Sequence, residues 1–422
     1  MRWTMAMVVV LLSCSAATAA RVVPVSDVAA LRAALSAAAP GDDIVLAAGT
    51  YAVDGNLNCA ANGRADAPIR VRAAMPRSVT LRFGSGGGIV EGFRISGAWW
   101  QLDGLDIEGA CAVDADCEHA VHVFGDAEHL LLSDNVMRDF NAQLKSNGVA
   151  LGGVYVYPDD AIVQYNRFHD TRARNTANPV AKLDVVGGRR WTVRGNTFHD
   201  YQKLGGDGVS YAAFLKGNSR DGVFERNLVR CSQAFTGGVR LGLSFGGGGT
   251  SPDAICEDGS CTPEHQSGIM RNNIVMSCSD VGIYLNKAAN TRLQHNTLYA
   301  TAGIDVRFAA STAEIRNNLL GGAIRLRDGG TSTNAGNLSG VTTASFAAWF
   351  QAPDAADFRL RDGAALVNLG VAAPRTVEDF CANRRSDGAP DLGALEYDAQ
   401  HRCATDSGGG VPLRLFADDF DG

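Results

Sequence analysis

Lys216 stands within the phrase YAAFLKGNSRDGVFERN, directly before a Gly217-Asn218-Ser219 bend. It lies in the one strongly basic stretch of the chain. Residues 166–245 hold thirteen Lys or Arg against six Asp or Glu, a balance of +7, whereas the whole 422-residue chain carries −7 and the remainder therefore −14. A cationic middle on an acidic chain suits an anionic ligand. A lysine serves as a base only where neighbouring cations and desolvation make it release its proton. Arg189, Arg190, Arg220 and Arg240 are the cations that the sequence offers for this. The plainer alternative is a solvated lysine on a strand face, with arginines on solvated turns.

Other polar groups point elsewhere. His169 and His199 recur thirty residues apart in the phrase FHD, so they belong to a repeat and are read as structural. The pairs Asp42-Asp43 and Asp159-Asp160 would suit a hydrolase of the polygalacturonase kind, which needs clustered carboxylates and a Gly-His-Gly phrase that is missing here. Gly246–Gly249 lacks the lysine and the strand–helix context of a phosphate loop and reads as a flexible insertion. With neither a CxxC pair nor histidines at zinc spacing, no metal site is expected.

What positions these groups is a repeat. A phrase of strand residue, polar residues, Asn and an apolar residue two places on recurs at Asn135, Asn166, Asn196, Asn227, Asn273, Asn296 and Asn318. The steps are 31, 30, 31, 46, 23 and 22 residues. A step of 22 to 31 is one turn of a three-stranded coil, and the 46-residue step is one turn plus the Gly- and Cys-rich insert from Gly246 to Pro263. Stacked coils lie about 4.8 Å apart, so an Asn at the same bend of each can bond the one above and below. Asn also tolerates the left-handed backbone angle that such a bend requires. Met137, Phe168, Phe198, Val229, Val275, Leu298 and Leu320 share one offset from it and should all point inward. Counting along the coils puts Lys216 on a ladder with Phe124, Tyr155 and Val185. The fold class is therefore all-β, a right-handed single-stranded parallel β-helix, which grows by stacking and need not split into domains.

Upstream, DIVLAAGTY (Asp43 to Tyr51), IRVRA, VTLRF and WWQLDGLDIEG read as the first strands. Residues Val25 to Ala39 form an amphipathic pattern with Ser26 as N-cap, a helix that would plug the open end of the stack. Met1 to Ala20 reads as an export signal, with Arg2, the apolar run Met5 to Leu12 and the small-residue site Ala17-Thr18-Ala19; Cys14 loosely matches a lipoprotein box. The apolar run is too short to span a bilayer, and the chain is expected to be secreted and monomeric, without nucleic acid as partner. Ten cysteines fit export. Cys111 with Cys117 and Cys256 with Cys261 can close short loops, Cys231 with Cys278 and Cys381 with Cys403 longer ones, leaving Cys59 and Cys14. The divisions are 1–20 signal, 21–345 helix with its cap, 346–400 closing segment and 401–422 flexible tail.

The run SDVAALRAALSAAAPGDDIVLAAGTY, with Ala67-Pro68-Ile69-Arg70-Val71 and GLDIEG, resembles the start of secreted parallel β-helix proteins of the chondroitinase B and alginate lyase family. The stretch DFRLRDGAALVNLG…RRSDGAPDLGALEY resembles the closing segment of choice-of-anchor β-helix proteins. The lyase resemblance implies β-elimination from a uronate polymer, in which a base takes the proton α to the carboxylate and a cation or hydrogen-bond donor stabilises the enolate. It implies Lys216 as catalytic lysine and Arg240, a few residues short of the matching position near Ser244 and Phe245, as its arginine. Substrate-binding residues would be Arg189, Arg190, Tyr211, Asn218, Arg220 and Ser244. The acidic pair that the family uses for calcium is replaced here by Tyr211 and small residues, which leaves the cofactor open. An acidic polysaccharide is the implied partner; the alternative is a non-catalytic glycan-binding or cell-surface β-helix protein.

Overall fold

The computed structural model describes residues 21–400 apart from Gly248 and Asp387, together with Cys403 and Thr405. The proposed signal and Cys14 lie outside the described residues, as does most of 401–422.

Short strands joined by tight bends wind into three parallel sheets of twelve, ten and eight strands. Each turn in the middle of the coil contributes one strand to each sheet, whereas the first turns place Leu57–Cys59 and Phe93–Ile95 in a separate pair. Strands rarely exceed five residues because every coil must turn three corners, and within them buried and exposed residues alternate, as in Ile69–Ala73 and Val79–Phe83. The apolar residues that point inward form one continuous core running from Val25 to Leu320. A minor sheet of three two-residue strands, Ser219–Arg220, His265–Gln266 and Ala288–Ala289, lines one corner.

The asparagine ladder is present and longer than expected. The backbone N–H and the Nδ2 of Asn166 both donate to Oδ1 of Asn196, at 2.9 and 3.1 Å, and Asn196 repeats this on Asn227. The chain of bonds runs from Asn135 through Asn318 and ends on Asn337, one rung beyond the repeat read in the sequence. Each Nδ2 also donates to a backbone carbonyl of the preceding coil, such as Val163 O from Asn196. The left-handed backbone belongs to the residue before each Asn instead of to the Asn: Asp134, Tyr165, Gly195, Arg226, Asn272, His295 and Asn317 all have φ between 53° and 62°. The asparagine is thus selected for its amide, which satisfies buried backbone groups at every corner, and not for its φ.

All seven residues expected to point inward are fully buried. Phe168 and Phe198 stack with ring centroids 4.8 Å apart. Phe198→Ala is expected to lower the unfolding free energy by about 3–5 kcal/mol, since the coil above and below holds the cavity open; denaturant titration reads this directly.

The N-terminal helix is shorter than its pattern, Val28–Ser36, and its N-cap is Asp27, whose carboxylate accepts the Ala30 N–H at 2.8 Å. Ser26 falls one residue too early because Arg21–Val25 is already a strand, paired with Asp42–Leu46. Leu31 and Leu35 bury into the end of the core. At the other end the chain does not simply continue the stack. A helix, Thr343–Trp349, and an antiparallel pair, Phe350–Ala352 with Asp357–Leu360, fold back over the outer face of the ten-stranded sheet. Phe346, Phe350, Phe358, Leu366 and Leu392 meet Leu228, Ile274, Met276 and Leu319 there in a second core. Cys403 bonds to Cys381, and Thr405 donates to Ala356 O at 2.7 Å, so part of the expected tail is anchored.

Cys111–Cys117, Cys231–Cys278 and Cys256–Cys261 pair as expected, and Cys59 is the buried free thiol. The insert leaves the coil after Phe245 and returns at His265–Gln266, so the strands on either side keep register. Among the described residues no helix is long and apolar enough to cross a membrane.

Buried histidines make the fold sensitive to acid, His265 and His295 being the most completely enclosed. Burial depresses His265 and His295 from 6.5 to about 3, so the folded protein holds both neutral. The stability tied to this is complete above the unfolded value of about 6.5 and is lost as pH falls toward 3, because only the unfolded chain takes up those protons. The slope is about 1.4 kcal/mol per pH unit for each histidine. Denaturation midpoints are expected to fall between pH 6 and 4, and His265→Gln to flatten the slope; a flat wild-type profile would contradict this.

Candidate functional site

The outward face of the eight-stranded sheet carries a row of polar residues in register. His122, Lys145, Asp184, Phe214, Ser244, Tyr284, Asp305 and Arg325 follow one another across successive strands. One row over, Lys216 pairs with Val186, and Asn286 with Arg307. The ladder expected for Lys216 is corrected accordingly: Val186 replaces Val185, and Tyr155 belongs to a small hairpin, Val149–Leu151 with Val154–Val156, outside the coil.

Against this face lies a groove of about 580 Å³. Lys203, Lys216, Lys287 and Arg307 line it, with Tyr211, Phe214, Tyr284 and Asn286, and its one acidic lining residue is Asp207. Lys203 pairs with Asp207, and Arg307 pairs with Asp328 at 2.5 Å while reaching the Tyr284 hydroxyl at 3.3 Å. Lys216 and Lys287 make no ion pair among the described residues. The ammonium of Lys216 sits 4.7 Å from the centre of the Phe214 ring, and the carboxylate of Asp184 on the neighbouring strand feels its charge. Burial, reinforced by Tyr284, raises Tyr211 above the ordinary phenol range, so its hydroxyl stays protonated and can donate. The insert forms part of the wall through Gly249. Gly247 packs so closely that a Cβ there would come within 2.8 Å of Lys216 Cδ.

Of the eight residues expected in the site, the fold brings only Lys216 and Tyr211 to this groove. Arg240 is 1% exposed, and its guanidinium is occupied by the carbonyls of Gly237, Cys231 and Phe235 and the hydroxyl of Ser232, all within 3.0 Å. It holds a loop. Ser244 is buried and donates to Tyr284 O at 3.0 Å. Asn218 is buried, with Nδ2 on Glu257 O at 2.9 Å and Oδ1 accepting from Gln266. Arg189 pairs with Glu257, Arg190 with Asp160 at 2.6 Å and Arg220 with Asp258. Arg189 faces a different cavity, lined by Asp126, Glu128, Asp159, Glu257 and Asp258, whose charge would repel an anion.

Much of the basic stretch is likewise tied up in ion pairs, and part of it is buried. Lys182 is fully buried, with Nζ 2.7 and 2.8 Å from the two oxygens of Asp170, and Arg172 and Arg174 share Asp114. Acids brought in from outside residues 166–245 cancel most of the surplus. The cations that do face the groove include Lys287 and Arg307, one and two coils further along, which no feature of the middle segment announced. Only the register, Asn286 beside Arg307 and in line with Lys216, could have found them.

Calcium, which the lyase resemblance implies, does not fit this groove. Its one acidic lining residue is committed to Lys203, and the other charged lining residues are cations.

A family model described as "Right handed beta helix region" matches residues 120–320. No curated protein matches the chain. Among solved structures, the chain is similar to the pectate lyase Pel9A, at 15% identity and a TM-score of 0.50, over 90% of this chain and 97% of that one. It also matches an alginate lyase from Paenibacillus sp. str. FPU-7, at 18% identity and 0.47, over 75% and 100% of the two chains. A mannuronic acid specific polysaccharide family 6 lyase from human gut microbiota matches at 17% and 0.43, over 71% and 58%. At 15% identity the likeness to the pectate lyase speaks to the fold alone. With its three parallel sheets and stacked corners, the chain is a right-handed parallel β-helix protein.

Proposed function

We propose that the groove on the eight-stranded sheet binds an acidic, uronate-containing polysaccharide and cleaves it by β-elimination. The observation that carries this reading is the lining: four cations and two tyrosines against a single, already paired carboxylate. A cleft of one charge sign concentrates a polymer of the other. Lys216, with no acid paired to it among the described residues, takes the proton α to the uronate carboxylate. Lys287 and Arg307 hold that carboxylate and stabilise the enolate charge that develops on it. Tyr211, kept protonated by its burial, donates to the glycosidic oxygen as that bond breaks and the new double bond forms. The solved lyases of this fold named above lend support to a polysaccharide as the ligand. The paired cysteines and the leader-like residues 1–20 fit an exported protein, and the helix Val28–Ser36 serves as its end cap.

The test is the ultraviolet absorbance of unsaturated uronates after incubation with alginate, pectate, chondroitin and heparin-type polymers. A rise with one of them supports the lyase. Saturable binding of a polymer without any rise would favour the second reading, a glycan-binding β-helix, which the burial of Arg240 away from the groove favours. Neither binding nor absorbance with any polymer would end both.

A further inference from the structure

A second constellation lies on the same outward face, toward the N-terminal end of the coil and outside the Lys216 groove. His122 is the first residue of the polar row, three strands before Phe214, which at strand spacing is about 14 Å away. One ligand atom each from Glu91, His119 and His122 lie within 4.8 Å of one another. His119 and His122 share one strand, with ring centroids 5.1 Å apart, and Glu91 comes from the preceding coil, its backbone N–H held by Asn56 Oδ1 at 2.8 Å.

The hydrogen-bond pattern around His122 cannot be completed by a neutral imidazole alone. Its Nδ1 is 2.9 Å from Glu91 Oε1 and its Nε2 is 2.7 Å from Asn147 Oδ1. The Asn147 amide cannot turn to offer a donor without losing its own bond from Nδ2 to Gly148 O at 3.0 Å. Both ring nitrogens therefore face oxygen acceptors, and a neutral imidazole has only one N–H to give. If Nε2–H serves Asn147, a bare lone pair on Nδ1 points at a carboxylate. His119 adds a second sign: its Nδ1 is buried with no hydrogen-bond partner. The surrounding charges leave room for a cation. Glu91, Glu118 and Asp184 stand against Arg94, which holds Glu91 Oε2 at 3.0 Å, and Lys145, which pairs with Asp184 at 3.0 Å.

We propose that Glu91, His119 and His122 form a binding site for a borderline divalent cation such as Zn²⁺. Two imidazole nitrogens and one carboxylate oxygen suit zinc and its transition-metal neighbours and not calcium, which takes six or more oxygens. Tetrahedral bonds of about 2.1 Å need ligand atoms about 3.4 Å apart, a small contraction of the present cluster. Asn147 then acts from behind, fixing the His122 tautomer that leaves Nδ1 for the metal. Three protein ligands leave a coordination position open to water or to an oxygen of a bound molecule. The sequence offered no such site because Glu91 is 28 residues from His119, and only the stacking of coils joins them.

The test is titration of the full-length, tag-free, EDTA-treated protein with ZnCl₂ by calorimetry, and with Co²⁺ followed by visible absorption. One equivalent of Zn²⁺ and the intense bands of a four-coordinate Co²⁺ centre are expected. His122→Ala and Glu91→Gln should each weaken binding at least tenfold, while Lys216→Ala should leave it unchanged. Wild-type protein that takes up neither ion would overturn the proposal, leaving a protonated His122 paired with Glu91. Undiminished binding by Glu91→Gln, which changes one oxygen only and preserves the packing, would overturn it equally, even if His122→Ala failed to fold.

Discussion

Asn196→Ala is expected to lower the unfolding free energy by about 3–6 kcal/mol, because buried donors and acceptors left unpaired cost about 1–3 kcal/mol each. The removed amide serves three neighbours at once. Its Oδ1 accepts from the backbone N–H and the Nδ2 of Asn166, and its Nδ2 donates to Val163 O at 2.8 Å. Asn227 Oδ1 loses one of its two donors as well. Residue 196 is fully buried, so water cannot replace these partners. Asn196→Asp should do no better, since it keeps the acceptor but removes the donor and buries a charge. Asn58→Ala, at an exposed strand position, is the control and should change stability by no more than about 0.5 kcal/mol. Denaturant unfolding of the three variants decides the matter; equal stability of Asn196→Ala and Asn58→Ala would show that the ladder only accompanies the coil.

Lys216→Ala is expected to reduce the elimination rate by about 10²–10⁴-fold, the range for loss of a positioned base. Its melting temperature should stay within the scatter of the wild type, because the side chain makes no ion pair among the described residues and touches the groove through the Phe214 ring. Tyr211→Phe separates the roles further: if the tyrosine protonates the leaving oxygen, its loss falls on kcat and least on substrates with a good leaving group. Lys287→Ala should raise KM and lower kcat together, since it holds the carboxylate in the ground state and stabilises the enolate charge that develops on it. An unaltered rate in Lys216→Ala would move the chemistry away from this lysine. A loss accompanied by a large fall in melting temperature would mean that it supports the wall formed by Gly247.

How much of this was legible follows from which residues are bound to the repeat. The Asn phrase and its apolar follower recur at one offset, and a ladder of identical side chains forces register, so coil number, corner and inward face could be read along the chain. The same reading located the insert from Gly246 to Pro263, since an extra segment shows up as a longer step. It also brought Lys216, the proposed base, to a strand end, although the ladder counted for it missed by one residue, Val186 standing where Val185 was expected. The amide of Asn337 escaped it because its step, 19 residues, is shorter than the others and because Ser339, two places on, is not apolar.

What one strand's residues meet was decided by the tertiary structure. Charge counted along the sequence made residues 166–245 look like an anion-binding surface, yet Lys182, Arg174 and Arg240 are buried, the first paired with Asp170, the second with Asp114 from another coil and the third bound to loop carbonyls. In a solenoid the neighbour of a side chain lies one coil away, 19 to 46 residues distant in the chain, so a local charge balance says little about the local field. The groove therefore owes Lys216 and Tyr211 to features readable in the sequence, and Lys287, Tyr284 and Arg307 to stacking alone. The cluster of Glu91, His119 and His122 has the same origin: adjacent strands pair at about 4.8 Å whatever their separation in sequence, and that spacing is what sets a carboxylate against two imidazoles.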